Sequence, residues 1–262
     1  VRSAPLAWLY FARTDALADD PMALAWLDDE ERARHARFVF EHSKREFRAA
    51  HALVRGVLSR HRPEVLPQEW RFARNAHGCP SIHDDHRPDG WRFNLSHTDG
   101  MLCVLVACGR ELGVDVEDAQ RARATVTVAD RFFSPAEVSA LRALPETARI
   151  PQFFAYWTLK ESYIKARGMG LALPLDGFSF AIEPGEDDGR TGWLADRVTL
   201  ACEPDVQDDG ARWSFARVRL SERHVGAIAL ARDGLGGTLA LHDAKSVTAR
   251  LEITALRTLR EG

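Results

Sequence analysis

Asp115 and Glu117, two residues apart, and Glu161, flanked by Lys160 and Lys165, are the side chains in this 262-residue sequence whose types and spacing suggest chemistry. On an extended strand Asp115 and Glu117 project from one face while Val114 and Val116 enter the core from the other. Like charges held that close raise each other's cost of ionisation unless a cation sits between them. Taken alone, an Asp-x-Glu pair is more often an exposed polar strand face. Within Trp157-Thr158-Leu159-Lys160-Glu161-Ser162-Tyr163-Ile164-Lys165, helical spacing sets Glu161 and Lys165 one turn apart, ordinarily a routine ion pair worth about half a kcal/mol. Lysine usage argues for more. Only four of the 35 basic residues are lysine, and two of those four stand here; a compact ammonium suits a phosphate oxygen that a rigid guanidinium fork does not. Together the three carboxylates, with no His or Cys beside them, are hard oxygen donors of the kind Mg²⁺ takes, its shell completed by water and phosphate oxygens. That points to phosphoryl-type transfer, in which charge on a leaving group is neutralised. Ser96 and His97 join as phosphate donors only in company with the rest, since a lone His near a strand end more often caps or packs.

These residues need a strand and a helix to hold them. Residues 112–117 alternate apolar and polar and follow the nearly continuous apolar run 101–108 across a glycine turn, so a hairpin is expected, its first strand buried on both faces. Residues 151–166 read as a helix, packed through Phe153, Phe154, Trp157 and Ile164 and ended by Gly168 and Gly170. Ser134, Pro135 and Glu137 occupy N-cap, N1 and N3 of another helix start. Upstream, a strand is expected over 7–11 and helices over 21–27 and 43–61. The last of these has Phe47, Ala50, Leu53, Val54, Val57 and Leu58 on one face, and on the other Arg45, Arg48 and Arg55, read as solvated surface. Strands over 178–182, 198–201, 213–220 and 225–230 predict antiparallel sheet, and residues 245–260 a peripheral C-terminal helix. The order helix, helix, strands occurs once before the turn at 109–113 and once after it. The expected fold class is therefore α+β, two similar halves over 1–112 and 113–262, the second with a peripheral extension from about 232.

Composition narrows the class. A formal charge of −3 provides no cationic field for non-specific nucleic-acid binding. The four cysteines show no Cys-x-x-Cys pair and no zinc spacing, which suits a reducing cytoplasm. No apolar run approaches the roughly 20 residues of a membrane span, and residues 4–12 read as a first strand rather than a signal peptide.

The set Gly78-x-Pro80, Phe93-Asn94-Leu95-Ser96-His97, Gly113-Val114-Asp115-Val116-Glu117, Arg131-Phe132-Phe133-Ser134, the Trp157 to Lys165 segment and Gly170-Leu171-Ala172-Leu173-Pro174-Leu175 resembles the Sfp-type 4′-phosphopantetheinyl transferases. The resemblance runs in order from about Arg32 to Phe180. It implies a monomeric pseudo-dimer of two α+β halves, each with a small mainly antiparallel sheet packed by helices, binding coenzyme A in the cleft between them. It also implies Asp115, Glu117 and Glu161 as Mg²⁺ ligands, Glu161 as general base, Lys160 and Lys165 as pyrophosphate contacts, and Ser96 and His97 as ligands of the nucleotide phosphates. Arg34 and Arg48 correspond to basic residues directed at the 3′-phosphate, and Glu137 to an acidic position near the active site of some relatives. Where the family often has Gly-Lys-Pro, this chain has Gly78-Cys79-Pro80; Arg74 stands near enough in sequence to substitute.

The expected activity is transfer of the 4′-phosphopantetheine arm of coenzyme A to a serine of an apo acyl or peptidyl carrier protein, with release of 3′,5′-ADP. The carrier could serve fatty-acid, polyketide or nonribosomal-peptide synthesis. The alternative is a catalytically inactive module that binds coenzyme A or a carrier protein. No nucleic-acid or membrane partner is expected.

Overall fold

In the computed structural model the chain opens with strand β1 (Ala7–Arg13); the residues described are 6–86, 90–120, 125–183, 185, 190–232, 248–252 and 259. Helices α1 (Thr14–Ala18) and α2 (Pro21–Ala25) follow, the second capped by the Asp20 carboxylate, which accepts from the Met22 amide. Helix α3 (Asp29–Arg37) begins on a reciprocal cap: Asp28 accepts from the Glu31 amide at 2.8 Å and Glu31 from the Asp28 amide at 3.1 Å. Helix α4 (Glu41–His61) buries the apolar face that its spacing defines. Arg55 corrects the reading of that helix's arginines as solvated. It is 0% exposed, held by Asp28 and Glu31 and donating to the carbonyls of Pro67 and Trp70. Those acceptors come from the α3 cap and the chain after α4, so burial is affordable only in the folded arrangement.

A short hairpin, β2 (Phe72–Arg74) and β3 (Pro80–Ile82), precedes β4 (Trp91–Thr98) and β5 (Met101–Cys108). The second half contains β6 (Leu112–Asp118), α5 (Thr125–Phe132), α6 (Pro135–Ala143) and α7 (Glu146–Arg167). Strands β7 (Phe178–Glu183), β8 (Gly192–Trp193), β9 (Arg197–Cys202), β10 (Trp213–Arg219) and β11 (His224–Ala231) complete it, and β12 (Thr248–Glu252) follows. Helix α6 has the Ser134/Glu137 capping box anticipated from sequence. Helix α7 starts five residues before the expected boundary and runs through Pro151, which forfeits one backbone bond near the helix start.

Two four-stranded sheets result, ordered β12-β1-β5-β4 and β6-β11-β10-β8. Strand β5 is buried on both faces as its apolar run requires: Leu102, Val104 and Val106 pack beneath α4, while Cys103, Leu105 and Ala107 face a core shared with the other sheet. Strand β11 divides its residues the same way, Ala227 and Ala229 toward α7, Ile228 and Leu230 toward the shared core. The architecture is thus α+β in two similar halves, each a sheet with a long helix on its outer face, the inner faces packed together. Two side chains of β4 stitch the seam. Asn94 Oδ1 accepts from the Val114 amide at 2.9 Å and Ser96 Oγ from the Val116 amide at 3.3 Å, satisfying amides on the edge of β6 that pairs with no strand among the described residues.

The C-terminal segment differs from expectation. Thr248–Glu252 is a strand, not part of a helix, and pairs in parallel with β1 of the first-half sheet. Leu259 is buried in the first-half core; a Cβ added at Gly56 would lie 2.7 Å from its Cδ1. These residues are therefore not peripheral: they complete an edge of the first sheet, a long-range pairing that local periodicity does not encode.

Candidate active site

Strand β6 turns Val114 and Val116 into the shared core, which leaves Gly113, Asp115 and Glu117 facing α7. The helix lies directly on the strand at Gly113, where a Cβ would come within 2.0 Å of the Ser162 carbonyl oxygen and 2.5 Å of the Ala166 nitrogen. Only glycine permits that approach. On α7, residues 157, 161 and 165 follow at intervals of four and share a face. Trp157 donates its indole N–H to Glu117 Oε1 at 3.2 Å, and Lys165 donates to Asp115 Oδ1 at 2.6 Å and to Ser96 Oγ at 2.9 Å. Ser96 in turn donates to Asp115 Oδ1 at 3.0 Å. The helix ends at Gly168, left-handed with φ +63°, whose carbonyl accepts from Asn75 of the β2–β3 turn at 2.7 Å. A loop of the first half is thereby tied to the end of the functional helix of the second.

The carboxylates perturb one another. Burial first, then the charge of Asp115, and more weakly that of Glu161, push the Glu117 carboxyl up to about 7, against the stabilising indole and Lys165. Burial and the Asp115 charge likewise raise Glu161 above the ordinary carboxylate range. Asp115 is 4% exposed, and its Oδ2 is buried without a hydrogen-bond partner among the described residues. Among the described residues no three His, Cys, Asp or Glu side chains gather as a ready ligand set. The ammonium of Lys165 supplies the counter-charge instead. Hard oxygen donors, an orphaned carboxylate oxygen and mutual repulsion that a cation would relieve suit a divalent metal ion at Asp115, with Glu117 and Glu161 within electrostatic reach of it.

Two cavities reach this cluster through Lys165, and a third lies on the other side of Pro80, which lines all three. One of about 300 Å³ contains Glu161, Lys165, Cys79 and the backbone of the 77–80 turn. Another, about 280 Å³, runs along the seam past Asn75, Arg92, Lys165 and Arg167. The third, about 310 Å³, lies in the first half between α3, α4 and β2, walled by Phe47, Phe72 and Phe93 and carrying Arg34, His51 and Arg74.

Residues 111–229 match the model of the 4′-phosphopantetheinyl transferase superfamily, and residues 18–110 match that of the 4′-phosphopantetheinyl transferase N-terminal region. The 4′-phosphopantetheinyl transferase HetI of Nostoc sp. is 35% identical over 162 residues, 62% of this chain and 68% of that protein. The 4′-phosphopantetheinyl transferase Sfp of Bacillus subtilis is 31% identical over 171 residues, 65% and 73% of the two chains. The chain belongs to the 4′-phosphopantetheinyl transferase family. It is a transferase by that membership. The L-aminoadipate-semialdehyde dehydrogenase-phosphopantetheinyl transferase of Homo sapiens matches at 26% over 220 residues, 80% of this chain and 68% of the human one.

In this transferase the residues nominated by sequence have different fates. Asp115, Lys165 and Ser96 are bonded together at the seam, Glu117 is held against the same helix by Trp157, and Glu161 shares a cavity wall with Lys165. Ser96 is buried and spends its hydroxyl on Asp115, Lys165 and the Val116 amide, so it positions the cluster rather than facing a ligand. Lys160 requires correction. It is 0% exposed, and its three donors go to Glu137 Oε2 at 2.8 Å, Leu175 O at 2.7 Å and Phe178 O at 2.6 Å, leaving none for a phosphate. Glu137, buried with it, also accepts from Ser134 and the Phe180 amide, a structural role. Arg48 is likewise corrected: it donates to the Ala18 carbonyl and pairs with Asp19 and Glu41, tying α4 to the α1 end, and lines none of the three cavities. Arg34 does line the first-half cavity, its guanidinium 5.5 Å from the Phe47 ring centre. His97 is exposed, with Nδ1 2.9 Å from Glu46 Oε1.

Trp157, expected only to pack, also bonds Glu117, and its place four residues before Glu161 is the sequence signal for that. His51 and the aromatic walls of the first-half cavity were missed for want of any local mark. Arg74, at the mouth of that cavity, donates to Gly78 O at 3.0 Å, beside the position where the family often has lysine.

Proposed function

We propose that this transferase moves the 4′-phosphopantetheine arm of coenzyme A onto a serine hydroxyl of an apo acyl or peptidyl carrier protein. The reading is carried by one observation: carboxylates of β6 and of α7 meet Lys165 at the seam between halves, beside a chain of cavities that share Pro80. Divided at residues 112 and 113, with the terminal strand returned to the first sheet, the chain supplies both walls of the site by itself, in keeping with a monomer.

Asp115, Glu117 and Glu161 would hold the divalent ion, for which Mg²⁺ is the natural choice, and its charge would offset that of the coenzyme A diphosphate. Lys165, reaching into both seam cavities, binds a diphosphate oxygen. The first-half cavity takes the nucleoside end, with aromatic walls for the base and Arg34 and Arg74 for phosphate. His97, exposed on β4, serves the 3′-phosphate. Glu161, its carboxyl raised by burial and by Asp115, accepts the serine proton as the serine oxygen bonds to the β-phosphorus. The bond from that phosphorus to the bridging oxygen breaks, and 3′,5′-ADP departs with the electron pair.

No helix among the described residues is long and apolar enough to cross a membrane. No disulfide joins the four cysteines, as a reducing cytoplasm would favour. Incubation with coenzyme A, Mg²⁺ and an apo carrier protein tests the proposal directly. The carrier should gain the mass of one phosphopantetheine arm while 3′,5′-ADP accumulates; binding of coenzyme A with no gain on any apo carrier would overturn it.

A further inference from the structure

Lys165 has a second role that the transfer reaction does not require. Its Nζ lies 2.6 Å from Asp115 Oδ1 and 2.9 Å from Ser96 Oγ, so the ammonium stands where a cation bound by Asp115 would be in contact with the same carboxylate. The other Asp115 oxygen has no hydrogen-bond partner among the described residues, and with the side chain only 6% exposed it is largely shut off from water. One cation therefore half-satisfies a carboxylate able to hold more. The lysine side chain is 27% exposed and lines both seam cavities, and its four-carbon stem lets the head move from the carboxylate into the cleft without disturbing α7.

We propose that Lys165 is a stand-in counter-ion, holding Asp115 until a divalent cation and the coenzyme A diphosphate displace it together. The inference rests on the functional reading above. A buried carboxylate cannot be left uncompensated at small cost, so the metal-free protein keeps the ammonium in place. A divalent ion arriving alone must evict Lys165 from its acceptors and gives it no new one. A diphosphate arriving alone draws Lys165 away and strands Asp115. When both arrive, Asp115 gains the metal and Lys165 gains a phosphate oxygen, and each ligand strengthens the other by the same factor.

Titration calorimetry on the full chain with Mn²⁺ as the divalent probe, with and without coenzyme A, measures the coupling. The wild-type protein should bind Mn²⁺ on the order of tenfold or more tightly once coenzyme A is present. Lys165→Met should bind Mn²⁺ alone about tenfold more tightly than wild type, with most of the coupling gone. Lys165→Arg, which retains a counter-charge and covers the case of an unfolded Met variant, should bind the lone ion as weakly as wild type. Its melting temperature, like that of wild type, should rise little with Mn²⁺ alone, whereas folded Lys165→Met should be markedly stabilised. Equal Mn²⁺ affinity in wild type with and without coenzyme A, or no tighter binding of the lone ion by folded Lys165→Met, would overturn this role while leaving the transferase reading intact. Failure of wild type to bind the two ligands even together would remove both.

Discussion

Gly113 and the carbonyl of Ser162 touch so closely that a methyl group on the glycine would stand 2.0 Å from the oxygen. That contact brings β6, with Asp115 and Glu117, against α7, with Glu161 and Lys165. Gly113→Ala must push the helix away from the strand. The substitution should cost roughly 1–3 kcal/mol by overpacking and, because displacement of about 1 Å at a reacting centre can cost 10²-fold, should lower transfer at least that much. Chemical denaturation and carrier-loading rates measure the two effects; an Ala variant with wild-type turnover would show the close approach to be dispensable.

Glu161→Gln separates chemistry from fold. On the proposed mechanism the neutral amide removes a proton acceptor and a metal donor, so transfer should fall ~10²–10⁴-fold. Stability should hold or improve, because burial and Asp115 both oppose the carboxylate charge. A Gln variant that loads carrier at the wild-type rate would take Glu161 out of the mechanism.

The His97 imidazole stands apart from the groups around Asp115, its Nδ1 2.9 Å from Glu46 Oε1. His97→Ala should therefore weaken coenzyme A binding more than dephospho-coenzyme A binding, with the cluster undisturbed. Equal losses in calorimetric titrations of the two ligands would exclude a 3′-phosphate contact.

Lys160 and Glu137 form a buried pair 2.8 Å apart. Lys160→Met leaves the Glu137 charge uncompensated and should destabilise the protein by about 3–5 kcal/mol. Adding Glu137→Gln removes that charge and should recover part of the loss. If Lys160 touched substrate phosphate instead, the double variant would still show a strongly raised KM for coenzyme A; the structure predicts a KM close to wild type.

Two imidazoles give the fold an acid limit. Burial, aided by the nearby Arg60 charge, lowers His61 to about 4, and burial outweighs a backbone bond to lower His51 to about 4 as well. Both are neutral in folded and unfolded chains above the ordinary value near 6.5. As pH falls from there toward 4 the unfolded chain takes up protons that the folded one refuses, so stability drops, by roughly 1 kcal/mol per pH unit for each imidazole. Urea midpoints should decline over that window, and His61→Gln should flatten the decline; an unchanged slope would show that His61 is protonated equally in both states.

Much of the site was legible before any coordinates. The alternation of 112–117 put Asp115 and Glu117 on one side of a strand, the interval of four put Glu161 and Lys165 on one side of a helix, and the order of motifs carried the family and its two α+β halves. Even the fate of Lys160 left a trace, since five residues turn a helix by about 140° from facing the same way, so Lys160 and Lys165 could not both look into one cleft. Which of them looked there was a matter of packing: Glu137 and the 175–178 carbonyls arrive from other elements to claim Lys160. Arg55 was withdrawn from solvent in the same way by the α3 cap and the carbonyls of Pro67 and Trp70, and Thr248–Glu252 was drawn to β1 as a strand. Periodicity along a chain dictates which side chains share a face because it follows from local backbone geometry. What that face meets depends on partners distant in sequence, and those are chosen only when the elements pack.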